Sequence, residues 1–518
     1  MKREKRVKCT VKEEEKMKHL KKLFGLLLAV VMVFAMSVSV FADDAATYTI
    51  TLPKNDHTYE IYQIFTGTYA TDGSLSNVKW GKNGTGTLGM DVEETILTNL
   101  KNVNSKSETE KLTEIKKYAV LNEKNVFETG KNKEVSVPAG YYLIKDVDGS
   151  QAGKNDAYTT YVVQVAGDIT VTPKTVKPTV DKQVLDEKAD AEKGSTDGWG
   201  ESADRAINES FKFKLIATLP KDTDYAAYPK YTVKFTDTMS EGVTFEKIDS
   251  VTVGGAEIDV SKYGVTANNG QAGGNWSLTI DNVKDISGVA LGTNDVKVEV
   301  IYSAHLNEKA KVNAESGGTT NKNTVYLEYS NNPNASGEEE LGKTPEDSVW
   351  VFSYQINNTK YDEKDQPLAG AGFRLYKEDG TTEVELVYDN ILDEYRPCKD
   401  GETAVEMKSA TKSGKFDIKG LDAGKYVLKE TTTPTGYNTC EPIEVIIKAE
   451  HKENGEGTGA ETVLTSESKN MNNKVINRKG SSLPSTGGIG TTIFYVVGGI
   501  LMAVAAILLI TKKKMSNK

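Results

Sequence analysis

Apolar and polar residues alternate along most of this chain. Val296, Val298, Val300 and Tyr302 share one parity, as do Val325, Leu327 and Tyr329, and further on Tyr426 and Leu428. A period of two is the mark of half-buried strands, and Gly, Asn and Asp clusters between the runs supply the turns. Several such strands in each stretch of roughly 130–170 residues predict an all-β protein of tandem immunoglobulin-like sandwiches. One stretch departs from the pattern: Asp91–Asn122 is rich in Glu, Lys and Leu and predicts a small helical insertion. Prolines 173 and 178 cannot donate to a sheet ladder, so the segment around them reads as an exposed connection. An Asn/Gly/Glu-rich stretch around 331–347 marks a second break. The expected domains are therefore 43–173, 174–345 and 346–480.

Both ends read differently. A basic stretch through Lys22 leads into an apolar run, Leu23–Met36, that ends at Val40-Phe41-Ala42. The run is too short to span a bilayer, and its small or apolar residues at −3 and −1 fit a secretory signal cleaved after Ala42. Met17 is an alternative start to Met1. At the other end, Leu483-Pro484-Ser485-Thr486-Gly487 precedes an apolar run, Ile489–Ile510, followed by Lys512, Lys513 and Lys514. Twenty-two helical residues reach roughly 33 Å, enough to cross the hydrocarbon core, with the lysines left on the cytoplasmic side. Residues 481–518 thus form an anchoring segment, and the mature product is about 43–486.

The net charge of −10 conceals an asymmetry. Residues 1–42 carry ten Lys/Arg against four Asp/Glu, and residues 487–518 carry four Lys and no acid, which leaves the part between at −20. An acidic body argues against a nucleic-acid partner. Three cysteines and four histidines, without CxxC or HExxH, suggest no metal site. No phosphate-binding glycine motif appears, and no nucleophile–base pair suggests an enzyme with an external substrate or a cofactor.

The chemistry lies in polar residues that fall on an apolar strand face. Lys182 has the parity of Val180 and Val184, Asp237 continues Tyr231, Val233 and Phe235, and Asn323 begins the series Val325, Leu327, Tyr329. The third domain repeats the set with Glu for Asp. Lys360 follows Phe352, Tyr354 and Ile356 (Asn358 makes that face mixed), Glu430 follows Tyr426 and Leu428, and Asn477 follows Val475. Burial lowers a lysine's pKa and raises a carboxyl's, so a neutral amine can face a protonated acid. Such an amine is a nucleophile toward an Asn carboxamide whose carbonyl the acid polarises before shuttling the amine proton to the departing ammonia. The product is a Lys–Asn isopeptide bond with loss of ammonia. Parity alone favours a buried Lys–acid ion pair with a strand-end Asn bonded to backbone, because polar residues are common at strand ends.

Specific motifs extend this reading. Gly424-Lys-Tyr426-Val-Leu428-Lys-Glu430-Thr-Thr-Thr-Pro434-Thr-Gly436-Tyr437 resembles the E-box of Gram-positive pilins. Lys360-Tyr-Asp362 followed by Pro367-Leu-Ala-Gly-Ala-Gly-Phe373 resembles the opening of a Cna-B domain, and 483–518 resembles a cell-wall sorting signal. His57-Thr-Tyr-Glu-Ile-Tyr-Gln-Ile-Phe65 and Gly140-Tyr-Tyr-Leu-Ile-Lys-Asp146 look like the family's N-terminal domain, without a recognisable isopeptide trio. The mature chain is similar to sortase-assembled backbone (major) pilins.

The resemblance implies that Glu430 and Asp237 catalyse single-turnover isopeptide formation between Lys360 and Asn477 and between Lys182 and Asn323, with Asn321 a rival to Asn323. It implies sortase cleavage within Leu483, Pro484, Thr486 and Gly487, at the Thr–Gly bond. Ile169-Thr-Val171-Thr172-Pro173-Lys174 stands where the family's polymerising-lysine motif lies, although Thr172 replaces the aromatic residue. Lys174 is thus the expected acceptor, with Lys177 its competitor. A Cys398–Cys440 disulfide is a further implication. The implied partners are pilin-specific and housekeeping sortases, identical subunits head to tail, accessory pilins and a peptidoglycan precursor. A non-polymerised adhesin and a minor tip or base pilin are the alternatives.

Overall fold

A computed structural model describes residues 47–69, 75–103, 105–106, 108–121, 133–172, 176–186, 198–221, 225–226, 228–266, 273–312, 321–333, 341–453, 459–480 and 489–516. The signal region 1–42, Met17, Lys174 and the 483–487 motif lie outside the described residues.

The first module pairs two small sheets. Thr47–Thr51 sits between Glu134–Pro138 and Ile169–Thr170, and a four-stranded sheet runs Leu75–Trp80, Tyr59–Tyr69, Gly140–Asp146, Thr160–Val165. The helical insertion is present as Glu94–Val103 and Glu108–Lys116, which cover one flank of a core containing Phe65, Trp80 and Leu143.

In the middle module, alternation translates directly into a two-sheet sandwich. One sheet has six strands, in which Ser210–Leu219 lies between Val296–Leu306 and Thr179–Leu185. The other has seven, in which Asn321–Ser330 lies between Val233–Met239 and Asp347–Phe352. The 233–239 strand buries Val233, Phe235, Asp237 and Met239, as its parity predicts. The second break lies later than expected. Asp347–Phe352 pairs with Asn321–Ser330, so the middle sandwich continues past 345. Val349 and Val351 enter its core, while Trp350 and Phe352 enter the core of the third module.

The third module stacks a five-stranded sheet on a four-stranded one. Its first and last long strands, Tyr354–Asp362 and Asn472–Asn477, are parallel neighbours, with Lys360 opposite Val475 and Asp362 opposite Asn477. Gly424–Thr432, which carries the E-box, belongs to the facing sheet. At Gly414 (φ +70°) a Cβ would stand 2.4 Å from the Lys360 carbonyl oxygen, so only glycine lets this loop lie against the lysine strand.

Adjacent modules are bonded to each other. Asn331 Nδ2 donates to the carbonyls of Gln151 (3.0 Å) and Asp156 (2.8 Å), and Tyr158 N donates to the Asn331 carbonyl. Between the middle and third modules, Asp204 Oδ1 accepts from Tyr354 Oη (2.6 Å) and lies 3.0 Å from His451 Nε2, while Ser202 Oγ lies 2.8 Å from His451 Nδ1. The C-terminal helix Ile489–Met515 includes a stretch long and apolar enough to cross a membrane, Ile493–Met515.

Candidate functional site: two buried Lys–acid–Asn constellations

Lys182, Asp237 and Asn323 are fully buried and converge between the two sheets of the middle module. Lys182 comes from one sheet, opposite Leu215; Asp237 and Asn323 come from the other, opposite Val325 and Met239, and so are diagonal neighbours on one face. Lys182 Nζ donates to Asp237 Oδ2 and, at 3.0 Å, to the Tyr302 hydroxyl. The Tyr302 hydroxyl donates to Asp237 Oδ2 (3.1 Å) and accepts from Asn323 Nδ2 (2.6 Å). Phe213 and Tyr302 wall the amine, with its nitrogen 5.1 and 5.3 Å from the ring centroids.

The electrostatics follow from burial. Desolvation lowers the Lys182 pKa and raises that of Asp237, against their mutual attraction. Water removed from both groups thus moves the balance toward the neutral pair. Asp237 Oδ1 and Asn323 Oδ1 are both buried without a hydrogen-bond partner. Two bare acceptors in a dry core are costly, and a proton on Asp237 Oδ1 turns one of them into a donor. Asn321, the rival, is fully occupied: its Oδ1 accepts from Lys311 N (2.9 Å) and its Nδ2 donates to the Val351 carbonyl (2.9 Å).

In the third module Lys360, Glu430 and Asn477 are again buried together. Here the lysine and asparagine sit on adjacent parallel strands, and the acid reaches across from the facing sheet. Asn477 Nδ2 donates to Glu430 Oε1 (2.6 Å), and Cys440 N donates to Glu430 Oε2 (2.7 Å). Asn477 Oδ1 has no partner. Lys360 Nζ donates to the carbonyls of Tyr361 (3.1 Å) and Val475 (3.2 Å) rather than to the acid, and burial lowers its pKa. Phe373, opposite Glu430 in the sheet, stacks on Phe416 at 4.3 Å and helps close the site to water.

Both sets therefore have the elements for carboxamide aminolysis: a desolvated amine, an acid against the amide, and an apolar enclosure. Sequence reasoning missed Tyr302, which reads as one more core aromatic in the series Val296–Tyr302; its only signal is a hydroxyl on a buried face. The expected disulfide requires correction. Cys398 and Cys440 are free thiols. Cys398 follows the strand Glu394–Pro397 of the five-stranded sheet, and its backbone is bonded to Glu385. Cys440 lies beside Glu430 at the opposite sheet, where desolvation, with Glu430 adding to it, pushes its thiol up to about 12.

The first module holds no comparable set among the described residues. Its buried Lys145 pairs with Glu60 (3.0 Å) and Asp148 (2.9 Å). Buried His57 lies between Asp146 (3.0 Å) and Asp156 (3.2 Å), and Lys177 Nζ is held by Asp156 at 2.8 Å.

Comparison with known proteins agrees with this architecture. Residues 354–459 match the SpaA prealbumin-like fold domain, and residues 477–517 match the LPXTG cell wall anchor motif. The chain is thus a cell-wall-anchored surface protein and a sortase substrate, with a prealbumin-like module at 354–459. More particularly, it is homologous to the trypsin-resistant surface T6 protein of Streptococcus pyogenes serotype M6, at 27% identity over 290 residues. That alignment takes in 51% of this chain and 44% of the T6 protein. Among solved structures, the T6 backbone pilin of the same serotype is 20% identical, covering 86% of this chain and all of that one, with a TM-score of 0.48. The full-length major pilin SpaD of Corynebacterium diphtheriae is 17% identical, covering 84% and 97%, with a TM-score of 0.46.

Proposed function

We propose that this chain is the backbone subunit of a covalently polymerised surface pilus. Sortase takes the Thr486 carbonyl as a thioester and passes it to Lys174 of the next identical subunit. A head-to-tail contact of this kind repeats without closing and so makes a filament. A pilin-specific sortase builds the fibre from these subunits and any accessory pilins; a housekeeping sortase joins its base to a peptidoglycan precursor. Each subunit is stitched internally by Lys182–Asn323 and Lys360–Asn477 bonds, with Asp237 and Glu430 as the acids. On this reading the chain is no enzyme toward external substrates, since each bond forms once.

The observation that carries the proposal is the dry convergence of Lys182, Asp237 and Asn323 in a chain that ends in a wall-sorting signal. Immunoblots of wall extracts in SDS test polymerisation. A high-mass ladder is expected, whereas a single band would favour a non-polymerised adhesin. Intact mass tests the stitching: two bonds remove two ammonia molecules, about 34 Da (loss of NH3 at each acyl transfer).

A further inference from the structure

We propose that the Tyr302 hydroxyl is a catalytic group of the middle-module reaction, carrying the proton between the two reacting nitrogens. The inference rests on the reading that Lys182 and Asn323 join. A phenolic hydroxyl has one proton to give and two lone pairs to receive with. All three are committed here: the proton to Asp237 Oδ2, one lone pair to Lys182 Nζ at 3.0 Å, the other to Asn323 Nδ2 at 2.6 Å. The same oxygen therefore touches the attacking nitrogen, the departing nitrogen and the acid.

The step balances without any outside reagent. A bond forms between Lys182 Nζ and Asn323 Cγ, and the bond from Cγ to Nδ2 breaks. Nζ must lose one proton and Nδ2 must gain one to leave as ammonia. As Cγ becomes tetrahedral the Nδ2 lone pair is freed, and the Tyr302 hydroxyl turns its proton from Asp237 Oδ2 to Nδ2 while its oxygen takes the one from Nζ, ending unchanged; protonated Asp237 polarises the Asn323 carbonyl and keeps its proton. The hydroxyl is a carrier already hydrogen-bonded to both reacting nitrogens. Tyr302 is itself fully buried, its ring packed by Phe213 (5.2 Å), Trp276 (4.8 Å) and Phe245 (5.7 Å).

The third module supplies the contrast. Glu430, one methylene longer than an aspartate, reaches Asn477 Nδ2 directly at 2.6 Å. In the middle module the 2.6 Å hydrogen bond of the departing nitrogen goes to the Tyr302 hydroxyl. Aspartate with tyrosine in one module thus does the work of glutamate alone in the other.

Cell-free synthesis of the full-length chain, quenched in denaturant at intervals and digested, gives the rate at which each cross-linked peptide appears. Tyr302→Phe keeps the ring and removes one oxygen. The Lys182–Asn323 peptide is expected to appear about 100-fold more slowly, while the Lys360–Asn477 peptide in the same molecules keeps its rate. A half-time within twofold of the wild type's overturns the relay. Should Tyr302→Phe misfold, as judged by near-ultraviolet circular dichroism, 2,3-difluorotyrosine at 302 keeps the hydroxyl and lowers its pKa. A rate shift of about threefold or more supports the relay there, and an unchanged rate overturns it. A wild-type chain with no Lys182–Asn323 peptide at all refutes the bond itself, a failure distinct from that of the relay.

Discussion

Replacing Lys182 by Met together with Asp237 by Asn isolates the energetic worth of the proposed Lys182–Asn323 bond. Lys182→Met removes the amine and fills its volume with another flexible, unbranched side chain. Asp237→Asn removes the acid in the same stroke, so no uncompensated charge stays in the core, where one would cost several kcal/mol by itself. What is lost is the cross-link, which closes a loop of about 140 residues. The chain-entropy treatment of disulfides puts that at about 5 kcal/mol at 25 °C. For a module of this size each kcal/mol moves the midpoint by about 2–4 °C, so the middle transition should fall by about 10–20 °C. Differential scanning calorimetry of the 43–486 product measures it, and intact mass confirms that the variant keeps the ammonia the wild type has lost. A cross-linked wild type whose middle transition lies within about 3 °C of the variant's would refute the reasoning.

Three further outcomes are expected. Lys174→Ala should abolish the high-mass ladder and Lys177→Ala should leave it, because Lys177 is held by Asp156 and its side chain is only 33% exposed; a ladder lost only in the Lys177 variant reverses the assignment. Burial alone would lower the His57 pKa, but Asp146 and Asp156 outweigh it and hold it at about 9 against 6.5. A raised pKa gives stability that is complete below pH 6.5 and lost as pH climbs through 9, on the order of 3 kcal/mol in all; first-module melts of wild type and His57→Gln should converge over that window, and parallel slopes would contradict it. Thiol titration of the denatured mature chain without reductant should count two groups, Cys9 having left with the signal, whereas folded Cys440 at pH 8 should react very slowly; a count of zero would restore the disulfide.

The parts of the site that could be read from sequence are those that burial enforces. A strand has two faces, so a lysine in register with valines must either enter the core or break the pattern, and Lys182, Asp237, Asn323, Lys360, Glu430 and Asn477 all enter it. Tyr302 gave no such contradiction, since an aromatic ring belongs on that face and only its oxygen is out of place. Sheet assembly was also hidden. The Asn/Gly/Glu stretch after 331 does interrupt the alternation, but Asp347–Phe352 returns to pair with Asn321–Ser330, and local pattern carries no trace of a pairing across a loop. The cysteine pairing was inferred from likeness rather than from any residue pattern, and the sheets keep the two thiols on separate segments.

The parallel seating of Tyr354–Asp362 beside Asn472–Asn477 has a mechanical consequence. With Lys360 joined to Asn477 as proposed, a pull delivered at the start of the first strand and the end of the last runs down to Lys360, crosses to Asn477 and leaves. The roughly 115 residues between are never taut, so about 400 Å of contour stays in reserve and cannot be paid out. The third module then behaves as a rigid link in a cable, transmitting force without stretching.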